Sequence, residues 1–485
     1  MNFNSLHFVL FFAIVLPLVL LLRRKIRSRN VFLLAASYYF YGTWDYRFLA
    51  LIIVSTLVDY LCGLWFDVRE ATPGQPPRRS ARDRLVLFAS LATNLGILGF
   101  FKYYGFFATS AAELLNKLGF SAHPSTLDLI LPVGISFYTF QTLSYTIDVY
   151  RGRIPTERSL LNFAVYVAFF PQLVAGPIER AERLLPQVGT PRRITWPDLY
   201  SGFYLICWGL FKKVVLADNV ATVADRVFSE SSFTGLATLL GVYAFAIQIY
   251  CDFSGYTDVA RGAARCMGFD LMLNFNLPYF ATNPSDFWRR WHISLSTWLR
   301  DYLYIPLGGN KKGRRRTYLN LMLTMVLGGL WHGAAWTFVL WGFYHGALLC
   351  IHRLLRPWLD RVTQFKHGLV RTGWFWIRVI IFFHLVCFGW LLFRADSLHQ
   401  VSAMVVTMIS SANYSLPGWH AEHVMRLAAC LAVLAGIQMY QWRRKDLMSP
   451  LRLTIPIKSI MYSAGLLGFI LFGNYSGQPF IYFQF

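Results

Sequence analysis

Two histidines stand where their surroundings would let them do chemistry. His332 lies in "LGGLWHG", between Trp331 and Gly333, after an almost uncharged run from Thr317 to Trp331. Fifteen helical residues at 1.5 Å each would carry it roughly 22 Å beyond the basic cluster Lys311 to Arg316. That depth is well inside a hydrocarbon core of about 30 Å. An ionisable group there is costly unless it faces a cavity or polar pathway. A neutral imidazole so placed can take a proton from an incoming hydroxyl, and Gly328, Gly329 and Gly333 leave room for a substrate beside the backbone. The plainer reading of His332 is a hydrogen bond to a neighbouring helix, which is also the reading for His345 and His384. His292, one residue after Trp291 in "FWRRWHIS", reads either as a site residue or as an interfacial hydrogen bonder.

Other chemistries find no signature. The chain has no G-x-S-x-G elbow, no P-loop and no H-E-x-x-H. Its seven cysteines, at 62, 207, 251, 266, 350, 387 and 430, are scattered without a CxxC. They point to buried thiols rather than disulfides or a zinc site, and no metal is expected. A membrane histidine without a nucleophilic serine or cysteine beside it suits direct acyl transfer, in which base, acyl donor and acceptor hydroxyl are brought together.

The elements that must position these histidines are membrane helices. Of 485 residues, 56% are hydrophobic and 14% charged, where soluble domains run nearer a quarter charged. Apolar runs near 6–22, 31–41, 46–66, 85–107, 127–147, 160–175, 199–217, 236–250, 317–350, 375–393, 424–441 and 457–473 read as spanning or re-entrant helices in one all-α polytopic domain. Several fall short of the ~20 residues a span needs, so some must break, tilt or stop midway. Asn283 caps a helix that opens on Pro284 and Asp286. From there Trp288, Trp291, Leu295, Trp298, Leu299 and Tyr302 form one apolar face, with Arg289, Arg290 and Arg300 between them, until Pro306 and Gly308 end the element. Such a helix also suits a membrane interface with no role in catalysis.

The net charge of +22 resides largely in loops between apolar runs: Arg23 to Arg29, Arg78 to Arg84, Lys311 to Arg316 and Arg443 to Lys445. This is the pattern of cytoplasmic loops, not of a nucleic-acid binder. It places both ends of the chain on the extracytoplasmic side. The first run, Leu6 to Leu22, carries its positive charge after it rather than before, so it reads as a retained helix and not a signal peptide.

Longer stretches carry a resemblance. "FWRRWHISLSTWLRDYLYIPLGGN" from Phe287 to Asn310, followed by "LGGLWHG", resembles the membrane-bound O-acyltransferase family, as do "LPVGISFYTFQTLSYTIDVYRG" at 131–152, "FFPQLVAGPI" at 169–178 and "YCDFSGYTDVARG" at 250–262. The likeness is greatest to the bacterial alginate O-acetyltransferase branch and more distant to teichoic-acid D-alanyl transfer. It implies a ring of helices around a thin central layer with funnels on both faces, in a bacterial inner membrane. By the same resemblance His332 matches the family's catalytic histidine and His292 its second, histidine-or-asparagine position. A cytoplasmic thioester such as acetyl-CoA, not tightly held, is the implied acyl donor.

The last residues, "QPFIYFQF", are uncharged and aromatic where chain ends are usually polar and frayed. By the resemblance, "FIYFQF" matches the F-x-Y-F-x-F ending of polysaccharide-acetylating members, whose tyrosine is implicated as acyl acceptor. Tyr482 would then hold an acetyl group for an extracytoplasmic serine (SGNH-type) acetyltransferase in a polysaccharide-synthesis complex. A phenol, pKa about 10, leaves more readily than an alkoxide, so the sequence thioester, aryl ester, alkyl ester has no steep uphill step. Intramembrane or flanking charges Asp252, Asp258, Asp286, Arg289, Arg290 and Asp301, with Trp331, are candidates for the donor side or the funnel. Arg289 and Arg290 suit coenzyme A phosphates and equally lipid headgroups. The competing readings are the same relay serving cellulose, another exopolysaccharide or teichoic-acid D-alanylation, a lipid acyltransferase, and a transporter or export component. Against the last stand the lack of apparent inverted repeats and the pairing of His332 with the tail.

Overall fold

The computed structural model describes residues 1–66, 79–123, 127, 130–173, 176–230, 234–362, 368–410, 421–475 and 480–481. Every regular element among them is helical. Eight helices among the described residues are long and apolar enough to cross a membrane: Ile26–Phe66, Ala81–Lys117, Trp196–Ser229, Gly235–Cys266, Trp336–Arg361, Gly368–Arg394, Val424–Arg444 and Ile455–Phe472. Leu6–Leu22 and Leu398–Ser410 are shorter apolar helices. The chain is therefore an all-α, multi-pass membrane protein. It divides into two compact units, Met1–Ile206 with Thr257–Met272, and Cys207–Tyr256 with Leu273–Phe485.

In the first unit, polar residues inside apolar helices find each other. Asp59, fully buried on helix Leu49–Phe66, accepts hydrogen bonds from Ser90, from Thr146 at 2.8 Å and from Asn94 at 2.8 Å. A carboxylate without such partners would be prohibitively expensive in apolar surroundings. Helices Trp196–Leu210 and Gly235–Cys266 cross backbone to backbone. A Cβ on Gly202 would lie 2.5 Å from Cys266 Sγ and 2.9 Å from the Gly262 carbonyl, so neither glycine admits a larger residue without separating the helices.

Glu179, in the turn before helix Ala181–Val188, is fully buried. Its Oε1 accepts from the Met272 amide, while its Oε2 has no hydrogen-bond partner among the described residues. Burial pushes this carboxyl up to about 7 from an ordinary 4.5. The folded chain thus keeps a proton that the unfolded chain has released between those two values, and stability falls as pH rises through that window. Replacing Glu179 with Gln keeps the acceptor for Met272 and removes the titration. The variant should be more stable than the parent at pH 8 by on the order of 1 to 3 kcal/mol, seen as a higher melting temperature, with the difference vanishing near pH 4.5 in a pH series of melting curves.

In the second unit, helices Gly313–His332 and Trp336–Val362 form a close antiparallel pair. A Cβ on Gly329 would collide with the Phe338 carbonyl and come within 3.0 Å of Gly342 Cα. One on Gly342 would strike the Met325 carbonyl. Helix Ile455–Phe472 has no buried residue, as expected of a helix facing lipid, yet Gly468 lets it approach the ring of Phe211.

Two expectations need correction. The apolar run 317–350 is not one helix, because the chain leaves helical geometry at Gly333, φ −157° and ψ 150°, and resumes at Trp336. The element from Asn283 to Tyr302 is not one amphipathic helix either. It begins as expected, with Asn283 accepting from the Asp286 amide at 2.9 Å, but it runs as Pro284–Trp288, a turn, Ile293–Leu299 and a wide-turned segment Arg300–Tyr304. The run expected at 127–147 becomes helical at Ile135 and extends to Tyr150. Helices Ala181–Val188, Asp218–Ser229 and Leu398–Ser410 were not anticipated from the sequence. The cysteines are free, as expected, and five of the seven are buried, whereas Cys350 is half-buried and Cys207 exposed.

Candidate active site

His332 is the last residue of helix Gly313–His332 and is only 4% exposed. The following Gly333 has no room for a side chain, since a Cβ would run into the Phe338 ring. The chain can therefore turn away at once and leave the imidazole at the helix end. Among the described residues the rings around it include Trp331 and Trp341 with centroids at 5.0 Å, Phe393 at 5.3 Å and His292 at 6.4 Å. Both candidate histidines thus share one buried aromatic pocket.

His292 is fully buried and holds a left-handed backbone conformation, φ 40° and ψ 55°, immediately before helix Ile293–Leu299. Asn274 fixes it there. Its carbonyl accepts from the Ile293 amide at 2.9 Å, and its side-chain Oδ1 accepts from the Ser294 amide at 3.1 Å and the Ser294 hydroxyl at 3.0 Å. The same Oδ1 lies 3.1 Å from His292 Nδ1. An oxygen already accepting a backbone N–H must meet a donor on the imidazole, so Nδ1 carries the proton of the neutral ring and Nε2 is the acceptor. Asn274 thereby sets both the tautomer and the orientation of His292, a role with no signal in the local sequence.

Asp252, the third candidate, lies deep on helix Gly235–Cys266 as one of two carboxylates on a single lysine. Lys213 Nζ is 2.8 Å from Asp252 Oδ2 and 2.8 Å from Asp218 Oδ1, with all three side chains 3% exposed or less. Gly255 permits this approach, since a Cβ there would lie 2.7 Å from the Gly209 carbonyl and 3.3 Å from the Lys213 amide. Sequence reading missed Lys213 and Asp218, although the lysine pair in the apolar run "FKKVVLAD" was their signal. Residues Phe480 and Ile481 are fully buried beside this cluster. The Ile481 backbone amide is directed at Asp252, the Phe480 ring lies 4.5 Å from Tyr256 and 5.5 Å from Phe253, and the Phe253 ring lies 4.7 Å from His292. Upstream, Asn474 donates from its amide to the Val214 carbonyl at 3.1 Å. Tyr482 lies outside the described residues.

The remaining candidates are engaged in ion pairs of their own. Asp286 Oδ1 is 3.0 Å from Arg290 and 3.8 Å from the largely exposed Arg289, and Asp301 pairs with Arg300 at 2.7 Å. Asp258 pairs with Arg261 at 3.3 Å. Trp331 belongs to the histidine pocket, its ring 5.9 Å from His292. His345 is buried against Trp341 at 4.7 Å, and His384 is bonded to the Tyr243 hydroxyl at 2.7 Å. Among the described residues no group of three or more His, Cys, Asp or Glu is placed to hold a metal ion.

A buried imidazole pair suits general base assistance to acyl transfer. Comparison with known proteins shows the family. The chain is 38% identical over 479 residues to "Probable alginate O-acetylase AlgI" of Pseudomonas putida, covering 95% of each chain. It is 41% identical over 409 residues to the protein of the same name from Pseudomonas aeruginosa, covering 84% of this chain and 75% of the relative. It is 36% identical to "Peptidoglycan O-acetyltransferase" of Helicobacter pylori, covering 80% and 75%. The sequence model of MBOAT matches residues 38–393, and the chain belongs to the membrane-bound O-acyltransferase family and is an O-acyltransferase.

Proposed function

We propose that the protein takes acetyl groups from a cytoplasmic thioester, acetyl-CoA by preference, and passes them through Tyr482 to an extracytoplasmic serine acetyltransferase that modifies a polysaccharide. In the first step the Tyr482 oxygen attacks the thioester carbonyl while His332 takes the phenolic proton. The tetrahedral adduct collapses with cleavage of the C–S bond, and the imidazolium returns its proton to the departing thiolate. Asn274 holds His292 with Nε2 as acceptor, in the same pocket as His332. In the second step a partner's serine hydroxyl attacks the aryl ester and releases the phenol, a better leaving group than any alkoxide. The polymer is alginate-like by first choice, because relatives bearing that name match the chain over its greatest length.

One observation carries this reading. Phe480, two residues before Tyr482, packs on Phe253, and Phe253 packs on His292. A simple membrane-interface anchor has no need of a fully buried Phe480 or of an Ile481 amide aimed at Asp252. The direct test uses purified full-length protein and radiolabelled acetyl-CoA without the partner. Label should remain covalently on the chain, map to the peptide containing Tyr482 and be released by hydroxylamine. Label absent from that peptide, with donor binding intact, would exclude the acyl-tyrosine.

A further inference from the structure

The first unit contains a cavity of about 630 Å³ lined by Arg23, Arg24, Pro191, Arg192, Arg193 and Ile194. Four of its six lining residues are arginines and none is acidic. Elsewhere in the chain arginines tend to neutralise a nearby carboxylate, as Arg290 does with Asp286 and Arg183 with Asp270. A concave surface collecting four guanidinium groups, with no acidic side chain among its described lining residues, concentrates positive potential and lowers the cost of bringing in an anion.

The cavity is held in shape by fixed parts. The Arg192 amide donates to the Arg23 carbonyl at 3.0 Å, tying the two arginine pairs together through the backbone. The Arg192 guanidinium donates to Thr190 Oγ1 at 2.6 Å and to the Gly268 carbonyl at 3.4 Å, and it stacks 5.8 Å above the Phe269 ring. Its Nε is buried with no hydrogen-bond partner among the described residues. Behind it Arg29, fully buried, bonds the carbonyls of Thr190 and Val188 and lies over the same phenylalanine ring at 5.3 Å. Arg23, half-buried, donates to the Leu20 carbonyl at 2.7 Å, whereas Arg24 and Arg193 are exposed. Two arginines are thus pinned, and two have the freedom to close on a ligand. A loop that only obeys the positive-inside rule needs charge on that side of the membrane but not this convergence.

We propose that this cavity is a binding site for phosphate, carried by a small polyanionic ligand or headgroup. Planar guanidinium forks match phosphate oxygens two at a time, and four of them suit a diphosphate or a pair of phosphates better than a single carboxylate. Two sources share this chemistry: the phosphates of a nucleotide thioester donor and the headgroup of an anionic phospholipid. The first source rests on the thioester reading given above; the site itself does not.

The test measures binding and no acyl transfer, so it can fail while the relay stands, and the reverse. The full-length protein is placed in nanodiscs of phosphatidylcholine alone and titrated with 3′,5′-ADP, the doubly phosphorylated nucleotide portion of a coenzyme A donor. Saturable binding that weakens about tenfold in Arg24→Gln and in Arg193→Gln supports the site with a nucleotide as its ligand. No binding of 3′,5′-ADP, but a rise in melting temperature on adding phosphatidylglycerol that both variants lose, supports the site with a lipid as its ligand. No response to either probe, or responses the same in parent and variants, overturns the proposal. If either variant fails to fold, the parent decides alone: affinity for whichever probe binds must fall between 50 and ~500 mM salt, since the Debye length shrinks severalfold over that range. A salt-independent affinity also overturns it.

Discussion

Replacing His332 by alanine is expected to reduce acetyl transfer from thioester to chain by about 10²- to 10⁴-fold, the usual contribution of a positioned general base. The expectation follows from where the imidazole sits. It ends a helix, is enclosed by Trp331, Trp341 and Phe393, and shares its pocket with His292. Loss of packing alone would predict a different pattern: a lower melting temperature with the rate per folded molecule unchanged. Single-turnover transfer normalised to folded protein separates the two. His332→Asn adds a further readout, because it keeps much of the volume and can hydrogen-bond but cannot accept a proton at neutral pH. Recovery of transfer by added imidazole in His332→Ala would mark the missing function as proton acceptance, while a rate within about threefold of the parent in both variants would remove His332 from the chemistry.

Tyr482→Phe is expected to abolish polymer acetylation in cells, to the level of a strain lacking the protein, without lowering the amount of protein in the membrane. The substitution deletes one oxygen and keeps the aromatic ring, so an anchoring role would survive it and a covalent role would not. The contacts on the preceding residues do not depend on that oxygen. Phe480 rests on Tyr256 and Phe253, and Ile481 lies beside the Lys213 cluster. Donor affinity should be unchanged, since the acceptor is removed and not the donor site. Normal polymer acetylation in this variant would sink the relay while leaving the enzyme an acyltransferase with some other acceptor.

Much of this site was legible in the sequence, and what was not has a physical reason. His332 stood out because an ionisable residue after fifteen nearly uncharged ones is costly and therefore informative. The helix start at Asn283 was legible because caps are local, with donor and acceptor three residues apart. The break at His292 was not, because it is imposed by Asn274 from eighteen residues away, and the aromatic spacing on either side still suits a continuous helix. Lys213 was passed over for a similar reason. Its two carboxylates come from Asp218, five residues on, and Asp252, thirty-nine residues on, and only the folded chain brings them together. Gly333 was read as space for a substrate, but its tight contact with Phe338 shows that it makes the helix stop possible.

The left-handed backbone at His292 has a consequence for what that position can become. Most side chains are strained at positive φ, while asparagine and histidine are among the few found there several-fold more often than average. The bend at position 292 therefore admits few side chains, and of those few asparagine as well as histidine can donate a hydrogen bond to the Asn274 oxygen.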